Sequence, residues 1–86
     1  MFSATVTVNN KTGLHARPAS ELVQLSQKYQ SQLCIINDND EIDPKSIISV
    51  LSGGISQGTT IEVRAEGPDE QDAVRDVVAL IESFTD

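Results

Sequence analysis

The residues best suited to chemistry lie in one short stretch, Thr12-Gly13-Leu14-His15-Ala16-Arg17-Pro18-Ala19-Ser20. His15 is the only histidine of the 86-residue chain. An imidazole titrates near neutrality, and its neutral nitrogen is a good nucleophile. Gly13 lets the backbone turn tightly just before it. Pro18 suits the first turn of a helix, where its missing amide is not needed. His15 is thereby expected at, or just before, a helix N-terminus. Amide groups and the positive end of the helix dipole make an anion site there, and Arg17 adds a planar donor fork that matches phosphate oxygens. The chemistry this points to is carriage of a phosphoryl group on the ring. The positive end of the helix is expected to favour the anion once the ring is loaded. A lone histidine at a helix start also serves as a plain surface or capping residue, and position alone leaves both readings open. Other site chemistries fit poorly. With one cysteine (Cys34) and no second histidine, a zinc site has too few ligands. No nucleophile motif of a Ser-His-Asp hydrolase is present.

Several elements must position this stretch. Phe2, Ala4, Val6 and Val8 alternate with polar residues, which predicts a half-buried strand over 2–8. Asn and Gly in "NNKTG" break it. Ala16, Ala19, Leu22, Val23 and Ser26 recur at helical spacing, predicting a helix over 16–28. "QLCIIN" (32–37) reads as a strand, "NDND" as a turn, and 41–43 as a short return strand closing a hairpin. Pro44 ends it. Ser46 is a good N-cap for a short helix through Ile47, Ile48, Val50 and Leu51, stopped by Gly53-Gly54. Ile61, Val63 and Ala65 alternate with Glu62, Arg64 and Glu66 in a last strand. Asp69 is expected to cap a final helix with Glu70 and Asp72 in its first turn. Its apolar stripe comprises Ala73, Val74, Val77, Val78, Ile81 and Phe84. The order βαββαβα, with one polar face per alternating strand, predicts an α+β open-faced sandwich: a four-stranded antiparallel sheet with three helices on one face.

Length and charge bound the rest. Eighty-six residues make one domain, 1–86. With only three aromatics, the core must be built from Val, Ile, Leu and Ala. The start has no signal-peptide pattern, no run reaches a membrane span, and one cysteine permits no internal disulfide. A cytoplasmic, soluble protein is expected. A net charge of −7 argues against nucleic acid or an anionic membrane as partner. The charge is uneven: residues 1–35 hold Lys11, Arg17 and Lys28 against Glu21 alone, while residues 36–86 hold three cations against twelve acids.

The segment "NKTGLHARPAS" closely resembles the active-site segment of the HPr family, the histidine-containing phosphocarriers of the phosphoenolpyruvate-dependent sugar phosphotransferase system. Length, element order and "PKSIISVLSGG" extend the resemblance over essentially the whole chain. It implies that phospho-enzyme I loads His15 at Nδ1 and that the group passes on to IIA proteins or domains of sugar transporters. Arg17 and the amides of Ala16 and Arg17 would hold the phosphoryl group. Ser46 matches the family's regulatory serine, target of an HPr kinase/phosphorylase. Ser20, Ile47, Ile48 and Leu51 would form the partner-docking surface. The chain would be a monomeric, stoichiometric carrier rather than an enzyme, needing no cofactor and no metal. Aliphatic residues at 48 and 51 and Gly53 depart from the commoner family pattern and bear on partner preference. The regulatory paralogue Crh carries glutamine where this chain keeps His15. Two alternatives stay in view: a nitrogen-related phosphotransfer carrier, and a corepressor that binds a catabolite-control regulator when Ser46 is phosphorylated. An all-helical acyl carrier is disfavoured by the strands and the absence of Asp-Ser-Leu.

Overall fold

The computed structural model describes residues 1–85. The elements follow in the order β1 (Phe2–Thr7), α1 (Ala16–Ser26), β2 (Gln32–Asn37), β3 (Asp40–Ile42), α2 (Ile47–Ser52), β4 (Thr60–Glu66) and α3 (Glu70–Ser83). The four strands form one antiparallel sheet in the order β1-β4-β2-β3. β4 therefore sits between two strands from the first half of the chain. It aligns Val63 opposite both Ala4 and Ile35.

Alternation decides which face is covered. Val6, Leu33, Ile35, Ile42, Ile61, Val63 and Ala65 point to the helix side and are buried. Ala19, Leu22 and Val23 of α1, Val50 of α2, and Ala73, Val74, Val77 and Ile81 of α3 meet them there. Each such Val, Leu or Ile contributes roughly 1.5–3 kcal/mol of transfer free energy. A core without tryptophan is sufficient because these small residues interdigitate. On the open face, the Thr7 and Thr60 hydroxyls are 2.8 Å apart, and Arg64 Nε donates to Glu62 at 3.0 Å.

Several boundaries and roles differ from the sequence reading. β1 stops at Thr7, although Val8 still donates to Thr59 O at 2.9 Å. Phe2 lies at the end of an edge strand and is exposed rather than buried. α1 ends at Ser26, not at 28, because Lys28 and Tyr29 donate three residues back and tighten the chain out of the helix. Ala16, the first helical residue, is exposed, outside the buried stripe that Pro18, Ala19, Leu22, Val23 and Ser26 form. β3 runs one residue earlier than expected, because the hairpin turns on Asp38, whose φ is 54°. Phe84 is buried from just beyond α3, in extended backbone.

Asp69 stands at the N-cap position of α3, but its side chain makes no cap bond. The carboxylate reaches across the fold instead. It accepts from the amides of Gln30 (3.0 Å) and Ser31 (2.9 Å), and from the Ser31 hydroxyl. Glu70 takes over the local task by accepting from Gly67 N at 3.1 Å.

Candidate functional site

The site is built by the loop between β1 and α1. Gly13 N donates to Asn10 O at 3.1 Å, which closes a turn. The buried Asn10 side chain returns the contact, its Nδ2 donating to Gly13 O at 2.8 Å. Leu14 N donates to Ile55 O at 3.1 Å. Gly13 adopts φ +61°, and a Cβ there would lie 2.4 Å from Ile55 O and 2.8 Å from Ser56 Cα. This position needs glycine twice over, for its conformation and for the close approach. Leu14 is buried, and the next residue, His15, emerges exposed.

His15 is the N-cap residue of α1, in extended backbone (φ −85°, ψ −165°), and its ring makes no cap hydrogen bond. Its carbonyl accepts from Ala19 N at 2.7 Å, the first bond of the helix. Ala16 and Arg17 supply the leading amides of this end, and Pro18 has none to supply. The first turn carries no acidic side chain, so nothing there offsets the positive end of the dipole. Arg17 is exposed one residue into the helix. The local result is an exposed imidazole at an anion-attracting helix end, with a guanidinium-bearing residue two positions on.

The other residues singled out from sequence lie along the neighbouring path. Ser46 caps α2: its Oγ accepts from Ser49 N at 3.3 Å, and its carbonyl from Val50 N at 3.1 Å. Just before it, Lys45 Nζ donates to both Tyr29 O and Ser31 O at 2.9 Å, and Lys45 O accepts from Gln27 Nε2 at 3.2 Å. The chain thus enters α2 beside the far end of α1 and returns to the His15 loop at Ile55. α1 is ~16 Å long from its rise per residue. Ser46 therefore sits at the end of α1 away from His15, and α2 runs back between them. Only Val50 of α2 is buried. Ile48 is 74% exposed, Leu51 48% and Ile47 39%, so all three are surface residues rather than core. Ser20 is exposed one turn into α1. The chain leaves α2 through Gly54, at φ +65° with open space around it.

Sequence reasoning missed Asn10 and Lys45. Asn10 reads as one of a pair of loop asparagines, and nothing in the spacing distinguishes it from Asn9. Lys45 reads as a solvated cation beside Pro44. Their partners lie 3 and 14–16 residues away, and the fold alone brings them together.

An open-faced sandwich that presents its lone histidine at the mouth of a helix is the architecture of a small phosphoryl carrier. Residues 2–83 match the family model described as "PTS HPr component phosphorylation site". The phosphocarrier protein HPr of Xylella fastidiosa is 41% identical over 83 residues, covering 96% of this chain and 93% of that protein. The HPr-like protein Crh of Halalkalibacterium halodurans is 40% identical over 82 residues (95% and 98%), and the phosphocarrier protein NPr of Escherichia coli K12 is 40% identical over 83 residues (95% and 92%). The solved HPr-C-His of Thermoanaerobacter tengcongensis superposes with a TM-score of 0.93 at 46% identity, covering 96% of this chain and 93% of that one. The chain belongs to the HPr family of phosphocarrier proteins.

Proposed function

We propose that this chain is the general phosphocarrier of a sugar phosphotransferase system, with His15 as the loaded residue. The observation that carries the proposal is an exposed imidazole held at the N-terminal end of α1, with no first-turn acid, in an HPr-family chain. The Nδ1 lone pair forms the N–P bond as the bond from phosphorus to phospho-enzyme I breaks, and the ring proton stays on Nε2. Arg17 and the amides of Ala16 and Arg17 balance charge on the transferring group. The reverse exchange then loads a IIA protein or domain. One domain, 1–86, does this as a cytoplasmic monomer and stoichiometric carrier, not as an enzyme. Exposed Ile47, Ile48 and Leu51, with Ser20, make a small apolar docking face of the kind transient complexes use. Ser46 is the regulatory site. Its phosphate would sit at a helix start that tolerates negative charge, and would act by changing the docking face rather than by melting α2.

Incubation with radiolabelled phosphoenolpyruvate and enzyme I gives an acid-labile, base-stable phosphoprotein, and His15→Ala abolishes the label. An unlabelled chain, or label that survives the substitution, would sink the proposal. Relatives named HPr and NPr match almost equally, at 41% and 40% identity. The second reading is therefore a nitrogen-related carrier. It predicts that the phosphorylated chain prefers a nitrogen-type IIA protein over a sugar-specific one.

A further inference from the structure

The peptide unit between Gly13 and Leu14 is held from both sides. Its carbonyl accepts from Asn10 Nδ2 at 2.8 Å, and its N–H donates to Ile55 O at 3.1 Å. The buried Leu14 side chain then anchors the next residue inward, leaving His15 as the first position free to project outward. Asn10 is 4% exposed, and its Nδ2 also lies 3.4 Å from Thr12 Oγ1. Its Oδ1 is buried and finds no donor among the described residues. The shorter of the two contacts this side chain makes, to Gly13 O, fixes the peptide plane just before His15.

We infer that Asn10 is a positioning residue for phosphoryl transfer: by clamping Gly13 O it sets where the His15 ring stands relative to the helix end. This rests on the reading of His15 as the loaded residue. Asn10 is buried and its side chain bonds to Thr12 and Gly13 of its own loop, so its removal is expected to act on turnover and not on association. Freeing the peptide lets the ring move by a fraction of an ångström to an ångström. Displacements of that size in reacting groups lower rates by about 10- to 100-fold.

The test uses the full-length chain with enzyme I and phosphoenolpyruvate. Asn10→Ala, and Asn10→Asp, which keeps the size and removes the amide donor, are expected to lower kcat for His15 loading by about 10-fold or more with KM for the carrier unchanged. A merely structural role would lower the melting temperature and leave kcat of the folded fraction intact, which overturns the inference. Should neither variant fold, NMR hydrogen exchange on the unaltered chain decides. Slow exchange of the Asn10 side-chain amide and the Leu14 amide supports the clamp, and exchange at unfolded-chain rates overturns it. If the unaltered chain is loaded and both variants load equally fast, this inference falls and the function stands. If the unaltered chain is not loaded at all, both fall.

Discussion

Gly13 shows how one missing atom can set the path of the backbone two residues before the proposed nucleophile, His15. A methyl group at this position meets backbone, Ile55 O and Ser56 Cα, which cannot rotate aside. The residue is also in the left-handed region at φ +61°. Gly13→Ala is expected to cost about 2 kcal/mol or more, from left-handed strain together with the clash. A urea titration reads it as a lower midpoint at unchanged slope. The loop would relieve the clash by moving off the 55–56 segment, so loading of His15 should slow in the folded protein as well. Unchanged stability and unchanged loading in this variant would mean that the close approach is unimportant. Gly13 was legible as a turn residue from its type and place. Its collision partners were not, because they come from a loop more than forty residues on.

At the scale of elements, the chain is held together by side chains that leave their own element. Asp69 ties the start of α3 to the start of β2, and Tyr29 OH donates to Asp76 of α3. Burial, then the Asp76 carboxylate, pushes the Tyr29 phenol up to about 12. The Ser31 hydroxyl, then the Gln30 amide, holds Asp69 below its ordinary 3.8. The Gly67 amide, then the N-terminal amine, does the same for Glu70 against 4.5. A carboxyl with a depressed folded pKa contributes stability that is fully present above its unfolded value and is lost as pH falls through the folded one. Thermal melts should therefore be flat from neutrality to about pH 5 and decline below it. Asp69→Asn should melt lower at pH 7 and show a shallower acid decline. An acid decline identical to that of the unaltered chain would remove Asp69 from this role. Sequence patterns recovered the order of the seven elements, because alternation in β4 and helical spacing in α1 and α3 are local signals. The Asp69 cap was misread for the same reason. Residue type and position predicted a bond within α3, while the stronger donors, two amides and a hydroxyl at 30–31, arrive only once the sheet forms.

For the whole molecule, charge is divided unevenly along the chain. Lys11, Arg17 and Lys28 face a single acid within residues 1–35, in a chain of net charge −7. Of these, Lys11 and Arg17 flank the His15 loop while Lys28 lies past the far end of α1, so an acidic partner face would be drawn to that loop more than to the acidic remainder of the chain. The second-order rate of loading by enzyme I should fall about tenfold as salt shortens the screening length from tens of ångströms to a few. Single-turnover kcat, measured at saturation, should change little. A rate that is indifferent to salt would count against electrostatic guidance.

The Lys45 bridge from the entry of α2 to the exit of α1 constrains the neighbouring serine as well. Its ammonium is engaged by two carbonyl oxygens, Tyr29 O and Ser31 O, on the inner side of the strap. A phosphate arriving on Ser46 would find the ammonium of the preceding residue already engaged by these two carbonyls. With Lys45 committed to the backbone, more of the added charge would be left for an incoming protein to meet, so a single modification could repel one visitor and recruit another that brings its own arginine.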